Sequence, residues 1–102
     1  MSKDLQGFLS FRVKFIDWLR DYTCSVKAPF LSVGCYRLGE DYLRANGIDI
    51  MSFSLDERGR ILELICRKFV LPLARVKALD VVYLGNGVII VNVSKVAMGC
   101  EP

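Results

Sequence analysis

Residues 15–44 lie over residues 61–90 without a gap, and the same order of events runs through both stretches. Apolar positions at helical spacing come first, then a proline (Pro29 or Pro72), an apolar strand-like run, a Leu-Gly pair and a second apolar run. Leu38-Gly39 falls on Leu84-Gly85 and Ala28 on Ala74, and these are the identical pairs, so the case rests on order rather than identity. A chain written twice is constrained to fold as two similar halves with a seam between them, and a seam is a place to hold a partner.

The local patterns extend that reading. Leu9, Phe11, Val13 and Phe15 alternate with polar residues, the period of a half-buried strand, although a long helix over 4–22 also fits. Ile16, Leu19 and Tyr22 then follow helical spacing, with Asp17, Arg20 and Asp21 outward. Residues 30–38 read as a strand carrying Leu31, Val33, Cys35 and Arg37 on one side; Gly39-Glu40 supplies a turn and 42–44 a returning strand. Asn46-Gly47 closes the first copy. In the second, residues 48–53 read as a strand, and Ser54 and Glu57 stand at capping-box spacing, with Asp56 as the alternative cap. A helix over 60–71 places Ile61, Leu64, Ile65 and Phe69 on one face and ends at Pro72. Residues 78–84 and 88–93 flank Asn86-Gly87, the strongest short hairpin signal a sequence offers. The expectation is an α+β fold from an internal duplication of a βαββ-like unit. Its two pseudo-symmetric halves share one core in a single domain over 1–102: repeat 1 spans about 7–46, repeat 2 about 47–94, and 95–102 is a frayed tail.

Composition narrows the class of protein. At 102 residues and 53% hydrophobic, the chain can bury about 65% of its unfolded surface as one domain. No apolar run approaches the ~18 residues of a membrane span, and residues 1–4 lack a signal-peptide pattern, so a soluble, cytoplasmic protein is expected. A net charge of +3 permits contact with nucleic acid without requiring it. Cys24, Cys35, Cys66 and Cys100 form no C-x-x-C pair, and without histidine a zinc site would need four scattered thiolates, so no metal is expected. Cys35 and Cys66 sit in apolar patterns and read as small buried hydrophobes. Cys24 and Cys100 leave a disulfide open, and the scarcity of Gln, Thr and Asn leans toward a heat-adapted source, where such bonds persist inside cells.

Catalytic machinery is not expected. The chain lacks histidine, the commonest acid-base agent; Glu40/Asp41 and Asp56/Glu57 are explained by turns and caps; the cysteines have no base beside them. Gly85-Asn86-Gly87 lacks the lysine and helix of a phosphate loop and reads as a turn. No cofactor follows from any motif. Residues 88–93 are uncharged and strongly β-forming: a core strand, or, at a sheet edge, an invitation to a partner's strand. The candidate partner-binding residues are therefore Trp18, Tyr36, Tyr42, Tyr83, Ile89 and Val91.

Two resemblances add to this. Arg58-Gly59-Arg60, after a strand-like run and opening a helix, resembles the strand-then-helix stretch of archaeal Alba-type chromatin proteins over about 48–69, with the family's lysine loop matched by Lys27-Ala28-Pro29. That resemblance implies nucleic-acid binding through Arg58, Arg60, Arg67 and Lys68. The doubled pattern, the size and the heat-adapted composition together resemble the small orphan proteins of filamentous viruses infecting hyperthermophilic archaea. This second resemblance implies a viral protein in the host cytoplasm that binds a protein or extended peptide between its two motifs, as a monomer or homodimer. Non-enzymatic peptide binding is the leading expectation and nucleic-acid binding the alternative.

Overall fold

The computed structural model describes residues 15–75, 78–83 and 85–100. Helix α1 spans Phe15–Cys24, strand β1 Phe30–Gly34 and helix α2 Cys35–Ala45. After a 3-10 turn at Ile50–Ser52 comes helix α3, Leu55–Ile65, which widens into a π turn at Cys66–Val70 and tightens into a 3-10 stretch at Leu71–Arg75. Strands β2, Leu79–Tyr83, and β3, Ile89–Ser94, precede a last helical turn, α4, Lys95–Met98. The molecule mixes helices with one three-stranded antiparallel sheet of order β1-β3-β2.

The sheet follows from the hairpin signal. Asn86 and Gly87 both hold positive φ, 66° and 76°, the conformation that folds β2 back onto β3. Tyr83 then pairs with Ile89 and Leu79 with Val93, while β1 takes the other side of β3, with Leu31 opposite Val93 and Val33 opposite Val91. One sheet face carries Leu31, Val33, Leu79, Val91 and Val93 and packs into the core with Leu19, Leu38, Leu43, Ile61, Ile65 and Val70. The opposite face presents Phe30, Ser32, Asp80 and Asn92, and Ser32 donates to Asn92 Oδ1 at 2.7 Å across the strands.

Helix α3 starts where the capping spacing put it: Ser54 Oγ accepts from the Glu57 amide at 3.3 Å. Pro72 has no N–H to offer the Lys68 carbonyl, so the α-helical ladder cannot run through it. The backbone loosens first, with the Leu71 amide reaching back to the Cys66 carbonyl.

Several expected strands are not strands. Residues 35–38 and 42–44 lie in α2, because Cys35, Leu38, Gly39, Tyr42 and Leu43 form an i, i+3, i+4, i+7, i+8 stripe that buries one helix face. Gly39 is a helix residue rather than a turn. The 48–53 segment makes a 3-10 turn, since Asp49 Oδ1 accepts from the Met51 amide at 3.0 Å and holds the chain in a local bend. The tail is not frayed over 95–100: Ser94 caps α4, Met98 is buried and Cys100 is bonded. The expected strand over 9–15 lies outside the described residues except Phe15, which opens α1. Consequently the two copies differ in their elements: helix, strand and helix over 15–45, against helix, strand and strand over 55–94.

Two disulfides, Cys24–Cys100 and Cys35–Cys66, take up all four sulfurs. Cys35 and Cys66 are both 2% exposed, as buried small residues would be, but they also join the start of α2 to the end of α3. Between the same helices a Cβ on Gly39 would meet Leu62 Cδ2 at 3.2 Å and Ile65 Cγ2 at 3.5 Å, so the missing side chain sets their approach.

Two outcomes follow. Gly39→Val should destabilise by about 1–3 kcal/mol through overpacking, read as a lower guanidinium midpoint; an unchanged midpoint would mean the helices do not close on this residue. Closing loops of 76 and 31 residues, each disulfide should contribute about 4 kcal/mol. Cys24 is exposed whereas Cys35 and Cys66 are buried, so a thiol reductant should open Cys24–Cys100 first, as mass spectrometry after alkylation would record.

Candidate functional site

The candidate residues divide between the interior and one edge of the sheet. Trp18 and Tyr42 belong to a ring cluster with Phe15, Tyr22 and Phe69. Trp18 stacks on Tyr22 at 4.9 Å and meets Tyr42 at 5.1 Å, and Phe15 meets Tyr42 edge-on at 4.9 Å. Tyr42 is 2% exposed and Trp18 and Tyr22 are half-buried, so this cluster packs α1 against α2 and the π turn. Val91 is fully buried and Ile89 half-buried. Strand β3, the run that a partner would have extended, is central and already paired on both sides. Tyr83 ends β2, and Tyr36, in the first turn of α2, is 45% exposed.

Beside the ring cluster lies the molecule's main polar knot. Tyr22 OH donates to Asp41 Oδ2; Arg44 bonds Asp41 Oδ1 at 2.9 Å, and Arg37 Nε approaches it at 3.5 Å. Burial pushes the Tyr22 phenol up to about 12, reinforced by the bond to Asp41 and that carboxylate's charge, with Arg37 and Arg44 pulling the other way. Burial also raises Tyr42. The knot ties α1 to α2 through groups that satisfy one another.

The four basic candidates have different surroundings. Arg58 donates from Nε to the Phe53 carbonyl at 2.9 Å and pins the loop before α3. Arg67 pairs with Glu63 at 2.9 Å. Arg60 is exposed at i+4 from Asp56 and i−3 from Glu63, so acids interrupt the basic stripe. Lys68 is exposed in the π turn.

The edge of β1 is what the sequence reading missed. Its phenylalanine counted only as the start of a longer strand, and edge status depends on pairing distant in sequence. The Pro29 carbonyl accepts from the Lys95 amide at 3.3 Å, and antiparallel bonding alternates. Residues 31 and 33 therefore direct their backbone groups to β3, whereas Phe30, Ser32 and Gly34 direct theirs away from it. Around that row Phe30 is 58% exposed, Ser32 is exposed, Leu31 and Val33 are half-buried, and Tyr36 and Val88 stand exposed, with Arg37 and Asn86, by the hollow at the Gly34 end. Strand β1 carries no charge. The other edge, β2, displays exposed Asp80 and packs against the 3-10 stretch Leu71–Arg75.

Among the described residues no three Cys, Asp or Glu side chains gather as metal ligands would, and no helix is long and apolar enough to cross a membrane. Comparison with protein-family models, curated proteins and solved structures finds no match.

The Tyr22–Asp41 bond sets an alkaline expectation. Its folded-state pKa of about 12 exceeds the ordinary 10, so its stabilisation is complete below pH 10 and is lost as pH rises through about 12. Tyr22→Phe should cost about 1 kcal/mol at neutral pH and flatten the fall in stability across that window, measured by guanidinium titration at each pH. A slope identical to wild type would remove Tyr22 as its source.

Proposed function

We propose that this protein is a non-enzymatic interaction module that takes up an extended segment of a polypeptide along the edge of β1. The observation that carries this reading is the row of outward backbone groups on Phe30 and Ser32 and the Gly34 amide, on an uncharged strand with Phe30 exposed and with exposed Tyr36 just beyond it in α2; the Gly34 carbonyl caps α2. Edge strands in stable proteins are usually guarded by charge, proline or a covering loop; β1 carries no charged residue or proline within its five residues. Backbone pairing would supply affinity, and Phe30, Leu31, Val33 and Tyr36 would select the side chains that alternate along the incoming strand. The hold is on the edge of a sheet, and it replaces a seam between repeats as the seat of binding.

The setting belongs to the same proposal. Two disulfides support a compartment that keeps thiols oxidised, and the cytoplasm of a hyperthermophilic host, implied by the viral resemblance, is one such place.

The test uses an immobilised library of extended peptides together with a synthetic peptide of residues 28–36. Binding should perturb the Phe30, Ser32 and Gly34 amide resonances first. Ser32→Pro removes the central outward donor without touching the β1–β3 ladder and should abolish binding. Ser32→Ala, which loses only the hydroxyl, should keep it. Peptides that bind Ser32→Pro as well as wild type would overturn the edge as the site.

A further inference from the structure

We infer that the segment received by β1 is β1 of a second copy of this chain, paired antiparallel about a twofold axis through Ser32. The inference rests on the edge reading above and names its partner.

Self-pairing of one strand requires that its sequence complement its own reverse. Outward backbone groups sit on Phe30 and Ser32 and on the Gly34 amide, the Gly34 carbonyl being taken by the first bond of α2; setting Ser32 opposite the second copy's Ser32 brings Phe30 opposite the second copy's Gly34. A shift of two residues either way takes Phe30 off the second copy's Gly34. In the full register the side chains match by size. Phe30, 58% exposed on the open face, lies across from a residue with no side chain. A Cβ built on Gly34 would meet nothing within 4 Å, so there is room above that glycine for the ring. Symmetry repeats this fit at both ends of the pair. On the core face the half-buried Leu31 meets the second copy's Val33, and each covers the other's remaining exposed surface.

Charge agrees with the geometry. Strand β1 has none, so no like charges are opposed within the paired strands, whereas β2 shows Asp80 on its exposed side. The product joins two three-stranded sheets into a continuous one with β1 and its copy at the centre. Because α2 begins at Cys35, directly after Gly34, the paired segment is five residues long. Such a contact falls below the ~1,200 Å² of a standard interface, so the dimer should be weak, with half-dissociation at about 10–500 μM.

Sedimentation equilibrium of the full chain tests this. The mass should rise from 11.5 kDa toward twice that value between about 10 μM and 1 mM. With rising concentration the Phe30, Ser32 and Gly34 amides should gain protection from hydrogen exchange, while Leu31 and Val33 are protected throughout. Phe30→Ala, at an exposed position and counted twice by symmetry, should weaken association about tenfold or more, and Ser32→Pro should leave a monomer. A chain that stays monomeric to about 1 mM while library peptides still bind the edge would overturn the second copy as partner and leave the edge reading standing. Self-association unchanged in Ser32→Pro, or without the alternating protection, would also overturn it, by placing the contact elsewhere. A monomer that takes up no peptide would end both.

Discussion

The fold depends on the two-sided pairing of β3. Val91 and Val93 are fully buried, and the strand bearing them completes its backbone bonds with β1 on one side and β2 on the other. Among the described residues both flanking strands are edges, because β3 occupies the middle, and the helices gather on one face, because its buried side chains all point one way; the Ser32–Asn92 bond crosses the other face. The position of the candidate site is thus a consequence of where the most apolar strand went, rather than of any residue in the site.

Much of this was legible locally. Asn86-Gly87 announced the β2–β3 hairpin, Ser54 the start of α3 and Pro72 the end of its regular ladder, because each acts through its own backbone within a turn's length. Helix α2 was equally written, in the spacing of Cys35, Leu38, Gly39, Tyr42 and Leu43, but a glycine followed by glutamate resembles a turn, and the alternating apolar residues before it suggested that the strand continued. Gly39 is small for a tertiary reason, the closeness of Leu62 and Ile65, and no local pattern carries that information. The same limit hid the site. Whether the 30–34 or the 88–93 run lies at an edge is settled by partners some sixty residues away; composition made a core strand the first reading of 88–93 and gave no sign that 30–34 would be an edge.

Charge shows how a modest excess of arginine is used. Arg37 and Arg44 neutralise Asp41 beside the Tyr22 hydroxyl, Arg58 holds a loop carbonyl and Arg67 answers Glu63. Each sits within one helix turn or one loop of its partner, so these arginines act as internal fastenings.

The two sulfur bridges have a topological consequence. Cys35–Cys66 lies wholly within the stretch enclosed by Cys24–Cys100, so the chain is a small covalent ring nested in a larger one that contains most of the molecule. A protease that cuts once inside the larger ring leaves its fragments tethered, and the severed strands stay within reach of their old neighbours. Damage to a surface loop is thereby separated from loss of material.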